Sequence, residues 1–107
     1  MANFVLLYTG GGMPATPEEQ AAILKEWEAW YGKLGAATID GGNPFTAAVK
    51  NIASGGQVSD GPVGTMATGY SIIRADSLDA AVSLAQGCPI LKGGGQITVY
   101  ETFNAMG

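Results

Sequence analysis

The chain has 107 residues and a net charge of −4, with nine acidic side chains, five basic ones and no histidine. This length fits one domain around a single core, and no apolar run approaches the roughly 20 residues that cross a bilayer. The five cations are scattered along the sequence, which argues against a nucleic-acid interface or a membrane-surface patch.

The first third predicts a strand followed by a helix. From Asn3 to Thr9, apolar residues fall on both faces, as expected of a strand covered on both sides. Thr16 fits a helix N-cap, Pro17 the favoured first position and Glu19 the third residue of a capping box, while Gly35 is a typical C-terminal stop.

Aromatic residues follow the predicted helix at helical spacing. Trp27, Trp30 and Tyr31 share an apolar stripe with Ile23 and Leu34. Such a stripe is usually part of the core, although the same rings could line a ligand pocket.

The middle of the chain is rich in glycine and small polar residues. We expect a second strand over Ala36 to Gly42 and an irregular hairpin in which Phe45 to Ile52 pairs with residues 57–59. A turn at Asp60, Gly61 and Pro62 follows.

The last third repeats the strand, helix and strand order. Gly69 to Ala75 predicts a strand, Asp76 is the predicted N-cap of a helix over Ser77 to Gly87, and Gln96 to Thr102 predicts a final strand. A duplicated β-α-β is the ferredoxin-like split, an α+β fold with four antiparallel strands and both helices on one sheet face.

That fold leaves the other sheet face uncovered. Phe4 or Val5, Ile72 or Ile73, and Ile97 or Val99 must lie on it, because side chains alternate along a strand. An exposed apolar face predicts a second subunit, so we expect a homodimer closed face to face.

The order of these segments resembles a known family. The FVLLY strand, the Asp60-Gly61-Pro62 turn, the GYSIIRADSLDAAVSLAQGCP segment and the QITVYE strand resemble the YCII-related superfamily, in particular its DGPF branch. The resemblance implies one domain over residues 1–107 and a dimeric α+β barrel of ferredoxin-like protomers. It also implies a catalytic His-Asp pair, of which only Asp60 is present here.

Four residues are candidates for a site. Asp60 could act as a general acid or base in a cleft, or it could be a turn residue that caps its own backbone. Asp40, before a Gly pair, allows the same two interpretations. Tyr8 and Tyr70 lie on strands that should be neighbours, so a phenol pair could bind ligand near Asp60, or pack in the dimer.

Other chemistry has weaker signals. Cys88 fits a small buried apolar residue, and Gly10 to Gly12 and Gly93 to Gly95 lack a phosphate-loop continuation. We expect no metal and no cofactor, and a cytoplasmic location because the N-terminal segment lacks a basic signal-peptide region.

Three functions remain open. The first is binding of a small organic ligand near Asp60. The second is a cofactor-independent lyase or isomerase that acts on a small cyclic metabolite through Asp60, and the third is a non-catalytic structural or partner-binding dimer.

Overall fold

The computed structural model of the protein describes residues 1–12 and 14–106. Within these residues the chain forms six strands and two α-helices. In chain order they are β1 (Ala2–Thr9), α1 (Pro17–Leu34), β2 (Thr38–Asp40), β3 (Lys50–Ile52), β4 (Val58–Asp60), β5 (Ala67–Ala75), α2 (Leu78–Ala85) and β6 (Gln96–Glu101). Short 3₁₀ turns follow α1 at Gly35–Ala37 and α2 at Pro89–Gly93.

Four of the strands form one antiparallel sheet in the order β2-β5-β1-β6. The two central strands are the first strands of the two β-α-β halves, and the register places Phe4 opposite Ile73 and Leu6 opposite Ser71. This topology confirms the predicted ferredoxin-like α+β fold.

Side-chain caps explain where the helices begin. The Thr16 side chain accepts a hydrogen bond from the Glu19 backbone N–H at 3.2 Å, as predicted. The predicted cap of α2 was wrong by one residue, because Ser77, and not Asp76, accepts the Ala80 N–H at 3.1 Å. Ser77 has the extended backbone that an N-cap requires.

The core lies between the sheet and the two helices. Phe4, Leu6 and Ile73 are completely buried there. Ala81 and Ala85 bring α2 close to the sheet, whereas α1 contributes large rings, with Trp30 only 4% exposed. The aromatic stripe of α1 is therefore part of the core, which was the preferred of its two interpretations.

The opposite face of the sheet, here called the open face, carries a row of apolar side chains. Val5 on β1 pairs with Ile72 on β5 and with Tyr100 on β6, and Tyr100 is 53% exposed. Of the alternatives that the sequence left open, Val5 and Ile72 lie on this face, whereas Phe4 and Ile73 face the helices. The prediction for β6 was wrong, because Ile97 and Val99 pair with Tyr8 and Leu6 and point toward the helices.

A second, two-stranded sheet stands apart from the four-stranded one. It consists of β3 and β4, which pair from Lys50 with Asp60 to Ile52 with Val58. The predicted hairpin is present, but its first strand begins at Lys50 and not at Phe45, and its second strand includes Asp60, which was predicted to lie in the turn. The connection back to the main sheet is an isolated bridge between Pro44 and Gly69.

Candidate functional site

The structure does not bring Tyr8, Tyr70 and Asp60 together. Tyr8 is buried beneath the helices at 4% exposure, Tyr70 lies on the open face beside Leu7, and the side chain of Asp60 is 89% exposed on the hairpin. The expected phenol pair is absent because Tyr8 pairs with Gly69 and Tyr70 with Leu7, so the two rings point to opposite sides of the sheet.

Tyr8 belongs instead to a buried group of hydroxyls. Its phenol donates to Ser71 Oγ at 2.7 Å, and Ser71 donates to the Gly41 carbonyl at 2.8 Å. Tyr31 donates to the same carbonyl at 2.8 Å. Burial raises the pKa of Tyr8 and of Tyr31 above that of a free phenol, so both are neutral hydrogen-bond donors in the core.

Asp60 forms an ion pair across the hairpin. Its Oδ1 lies 2.6 Å from Lys50 Nζ, and Lys50 is the residue directly opposite in the β3-β4 register. The expected cap on its own turn is not the contact observed, because the Gly61 N–H donates to the Val49 carbonyl at 3.1 Å.

The turn cap occurs at Asp40. Its Oδ1 accepts the Gly42 N–H at 2.8 Å, and its Oδ2 accepts the Tyr70 hydroxyl at 3.1 Å. The hydrogen bond to the Asp40 carboxylate, with its charge, raises the pKa of Tyr70. The Phe45 ring stacks on Tyr70 with 5.8 Å between ring centroids, so these three residues form one small cluster at the edge of the open face.

Two adjoining grooves lie beside the hairpin, and together they are called the hairpin cleft. One groove, of about 650 Å³, is lined by Lys50 and Asp60. The other, of about 570 Å³, is lined by Leu7 and Phe45. Ala48, Val49 and Met66 line both grooves, which are open to solvent.

The two grooves of the cleft differ in the chemistry of their lining. The Leu7 groove is walled by carbon-rich side chains and two threonines, without a charged residue. Its lining is Leu7, Pro44, Phe45, Thr46, Ala48, Val49, Pro62, Val63, Thr65, Met66 and Ala67. The Lys50–Asp60 ion pair lies in the other groove. The charged side chains and the apolar wall of the cleft are therefore in different grooves.

Sequence reasoning found Asp60 but missed the apolar wall of this cleft. Phe45, Val63 and Met66 lie in a stretch without regular hydrophobic spacing, which offered no periodic signal. Their exposure, from 38% for Met66 to 80% for Val63, is visible only in the fold.

The environment of Cys88 does not favour a reactive thiol. The residue is buried, and burial raises the pKa of its thiol, which disfavours the reactive thiolate. Among residues 1–12 and 14–106, no group of three His, Cys, Asp or Glu side chains could hold a metal ion. No helix in the same described part is long and apolar enough to cross a membrane.

Comparison with known proteins shows a relationship of fold. No protein family and no curated protein matches the sequence. Among solved structures, the fold is similar to 5-chloro-2-hydroxyhydroquinone dehydrochlorinase (TftG) from Burkholderia phenoliruptrix AC1100, in a complex with 2,5-dihydroxybenzoquinone. The TM-score is 0.57 at 18% identity, and the match covers 95% of each chain.

Proposed function

We propose that this protein binds a small, uncharged ring compound in the hairpin cleft. The observation that carries the proposal is the apolar Leu7 groove, in which Phe45 supplies an aromatic wall next to the Asp60 groove. A ring buried there would contact carbon atoms, and a hydroxyl on that ring would reach toward the Asp60 carboxylate.

The charge distribution favours a neutral ligand over an acid or a phosphate. Lys50 is the cation that lines the cleft, and it already pairs with Asp60 at 2.6 Å. A carboxylated ligand would meet the Asp60 charge without a free cation to offset it. The solved TftG structure, which contains a quinone, supports a ring compound as the ligand class.

We expect hydroquinone to bind more tightly than 2,5-dihydroxybenzoate, which differs from it by one carboxylate. Isothermal titration of both compounds measures the difference, and 2,5-dihydroxybenzoquinone, whose vinylogous-acid hydroxyls are ionised at neutral pH, should bind weakly as the benzoate does. Phe45→Ala should weaken hydroquinone binding about tenfold, equivalent to about 1.4 kcal/mol. Phe103→Ala is the matched control, because Phe103 is 85% exposed outside the cleft.

Equal binding of the acid and the neutral ring would exclude the proposed selectivity. If none of the three compounds binds, the interpretation as a structural or partner-binding dimer gains support. The lyase alternative needs one more variant, Asp60→Asn, and its test reaction is taken from TftG, which is named as a dehydrochlorinase. It requires chloride release from 5-chloro-2-hydroxyhydroquinone by wild type, lost in Asp60→Asn while binding is retained.

We further propose that the chain is a YCII-related homodimer that closes through the open face. The row Ile72, Val5 and Tyr100 crosses three strands; Val5 and Ile72 are half-buried, and Tyr100 is 53% exposed. The interface is isologous, so each copy covers the same row on the other.

Tyr100→Asp should raise the dimer dissociation constant by at least about tenfold, because it places a charge inside an apolar contact. Sedimentation equilibrium measures this constant. Leu78→Asp on α2 is the control, since Leu78 is similarly exposed at 45% but lies in the helix layer. A wild-type protein that is monomeric at every concentration would contradict the dimer and leave the ligand titration unaffected.

A further inference from the structure

The β3-β4 hairpin, residues 49–61, forms an arm that extends away from the main sheet. The Cα radius of gyration is 15.4 Å, whereas a compact domain of this length is expected near about 13 Å. The molecule is also flat, measuring 45 × 39 × 18 Å. An extension of this kind exposes backbone and side chains that a compact fold would bury.

The arm is held together by its own residues. The Ala53 N–H donates to the Gln57 carbonyl at 2.7 Å, and the Gly61 N–H donates to the Val49 carbonyl at 3.1 Å. Each of its strands has only three residues. A two-stranded hairpin of this size is marginally stable in water unless one face packs on something else.

One face of the arm is suited to such packing. Ile52 and Val58 lie opposite each other and are 70% and 61% exposed. They share a face with the Lys50–Asp60 pair, two residues away on each strand, whereas Asn51 and Ser59 occupy the other face. The apolar pair and the ion pair that borders the cleft therefore point the same way.

The position of the arm beside the open face indicates what packs against its apolar side. The groove lined by Lys50 and Asp60 shares Met66 with the groove that Leu7 lines on the open face, so the arm face that carries the ion pair borders the open face. A second copy seated on the open face would therefore adjoin the arm. Two-fold symmetry then provides two arm contacts per dimer, and each one covers an apolar pair that otherwise faces water.

We infer that the apolar face of the arm packs against the second copy, and that this copy forms a wall of the hairpin cleft. The inference rests on the proposed homodimer and its ligand site. The ligand cleft is then incomplete in a single chain, and ligand binding is linked to dimer formation.

The test compares two double variants that each place two threonines in the arm. Ile52→Thr/Val58→Thr removes the apolar pair and keeps β-branched side chains, while Asn51→Thr/Ser59→Thr changes the opposite face. We expect the first variant to have a dimer dissociation constant about tenfold higher than wild type. At concentrations where this variant is monomeric, it should bind hydroquinone more weakly. Its circular dichroism spectrum should be that of wild type. The second should match wild type in each measurement.

Two results would overturn the inference. If both double variants form dimers with the wild-type dissociation constant, the arm does not contact the second copy. If the monomeric variant binds hydroquinone with the wild-type affinity, the second copy forms no wall of the cleft. Neither result affects the proposed ligand or the open-face dimer, which the Phe45→Ala and Tyr100→Asp experiments test independently.

Discussion

Gly42→Ala is expected to be severely destabilising, with a loss of about 3 kcal/mol or more in the free energy of unfolding. A Cβ atom at Gly42 would lie 1.7 Å from the Tyr70 carbonyl oxygen and 2.6 Å from its carbonyl carbon, and the φ angle of 73° is already unfavourable for alanine. Because the clash is with the backbone of β5, no side-chain rotation relieves it.

The structural change caused by Gly42→Ala should extend to both faces of the sheet. The Gly42 N–H is the donor that orients Asp40 toward Tyr70, and the neighbouring Gly41 carbonyl accepts hydrogen bonds from Tyr31 and Ser71. Displacement of this turn would loosen the buried hydroxyl group and the Asp40–Tyr70 contact together.

Gly56→Ala is the matched control for backbone conformation. Gly56 also has a positive φ, 89°, but nothing lies within 4 Å of a Cβ there, so we expect a loss of only about 1 kcal/mol. Urea unfolding of both variants measures the difference. Similar midpoints for the two would mean that the turn does not approach Tyr70 as closely as the structure shows.

The sequence predicted the fold well because its signals are local. The capping residues Thr16 and Glu19 and the apolar alternation of β1 each depend on neighbours in the chain. The duplicated β-α-β order then limits the possible topologies. One error concerned the N-cap of α2, because the adjacent residues Asp76 and Ser77 both suit that role. Another concerned β6, where alternation shows that Ile97 and Val99 share a face but does not show which face of the sheet it is.

The candidate site was less predictable because it depends on distant contacts. Tyr8 and Tyr70 are on neighbouring strands, but the register sends their rings to opposite faces, and a one-residue difference in register decides this. Asp60 binds Lys50 through a hairpin pairing that its Asp-Gly-Pro sequence does not indicate. The apolar wall of the cleft comes from irregular segments, whose positions are fixed only by tertiary structure.

The second large effect is expected at Trp30, which joins the two helices. Its ring is 4% exposed, and its indole N–H donates to the Leu84 carbonyl of α2 at 3.0 Å. It also contacts the Trp27 and Tyr31 rings, at centroid distances of 5.7 and 5.1 Å. Trp30→Ala should therefore cost about 3–5 kcal/mol, because the cavity lies beneath both helices.

Two companion variants separate the causes of that loss. Trp30→Phe keeps most of the ring volume and removes the hydrogen bond. It should cost about 1–2 kcal/mol, since backbone N–H groups at the end of α2 still donate to the Leu84 carbonyl. Leu24→Ala, at a position 51% exposed on the same helix, should change stability by about 0.5 kcal/mol or less. If Trp30→Ala unfolds at the same urea concentration as Leu24→Ala, the indole does not hold α1 to α2, and the alternative that these rings line a ligand pocket becomes the better interpretation of the aromatic stripe.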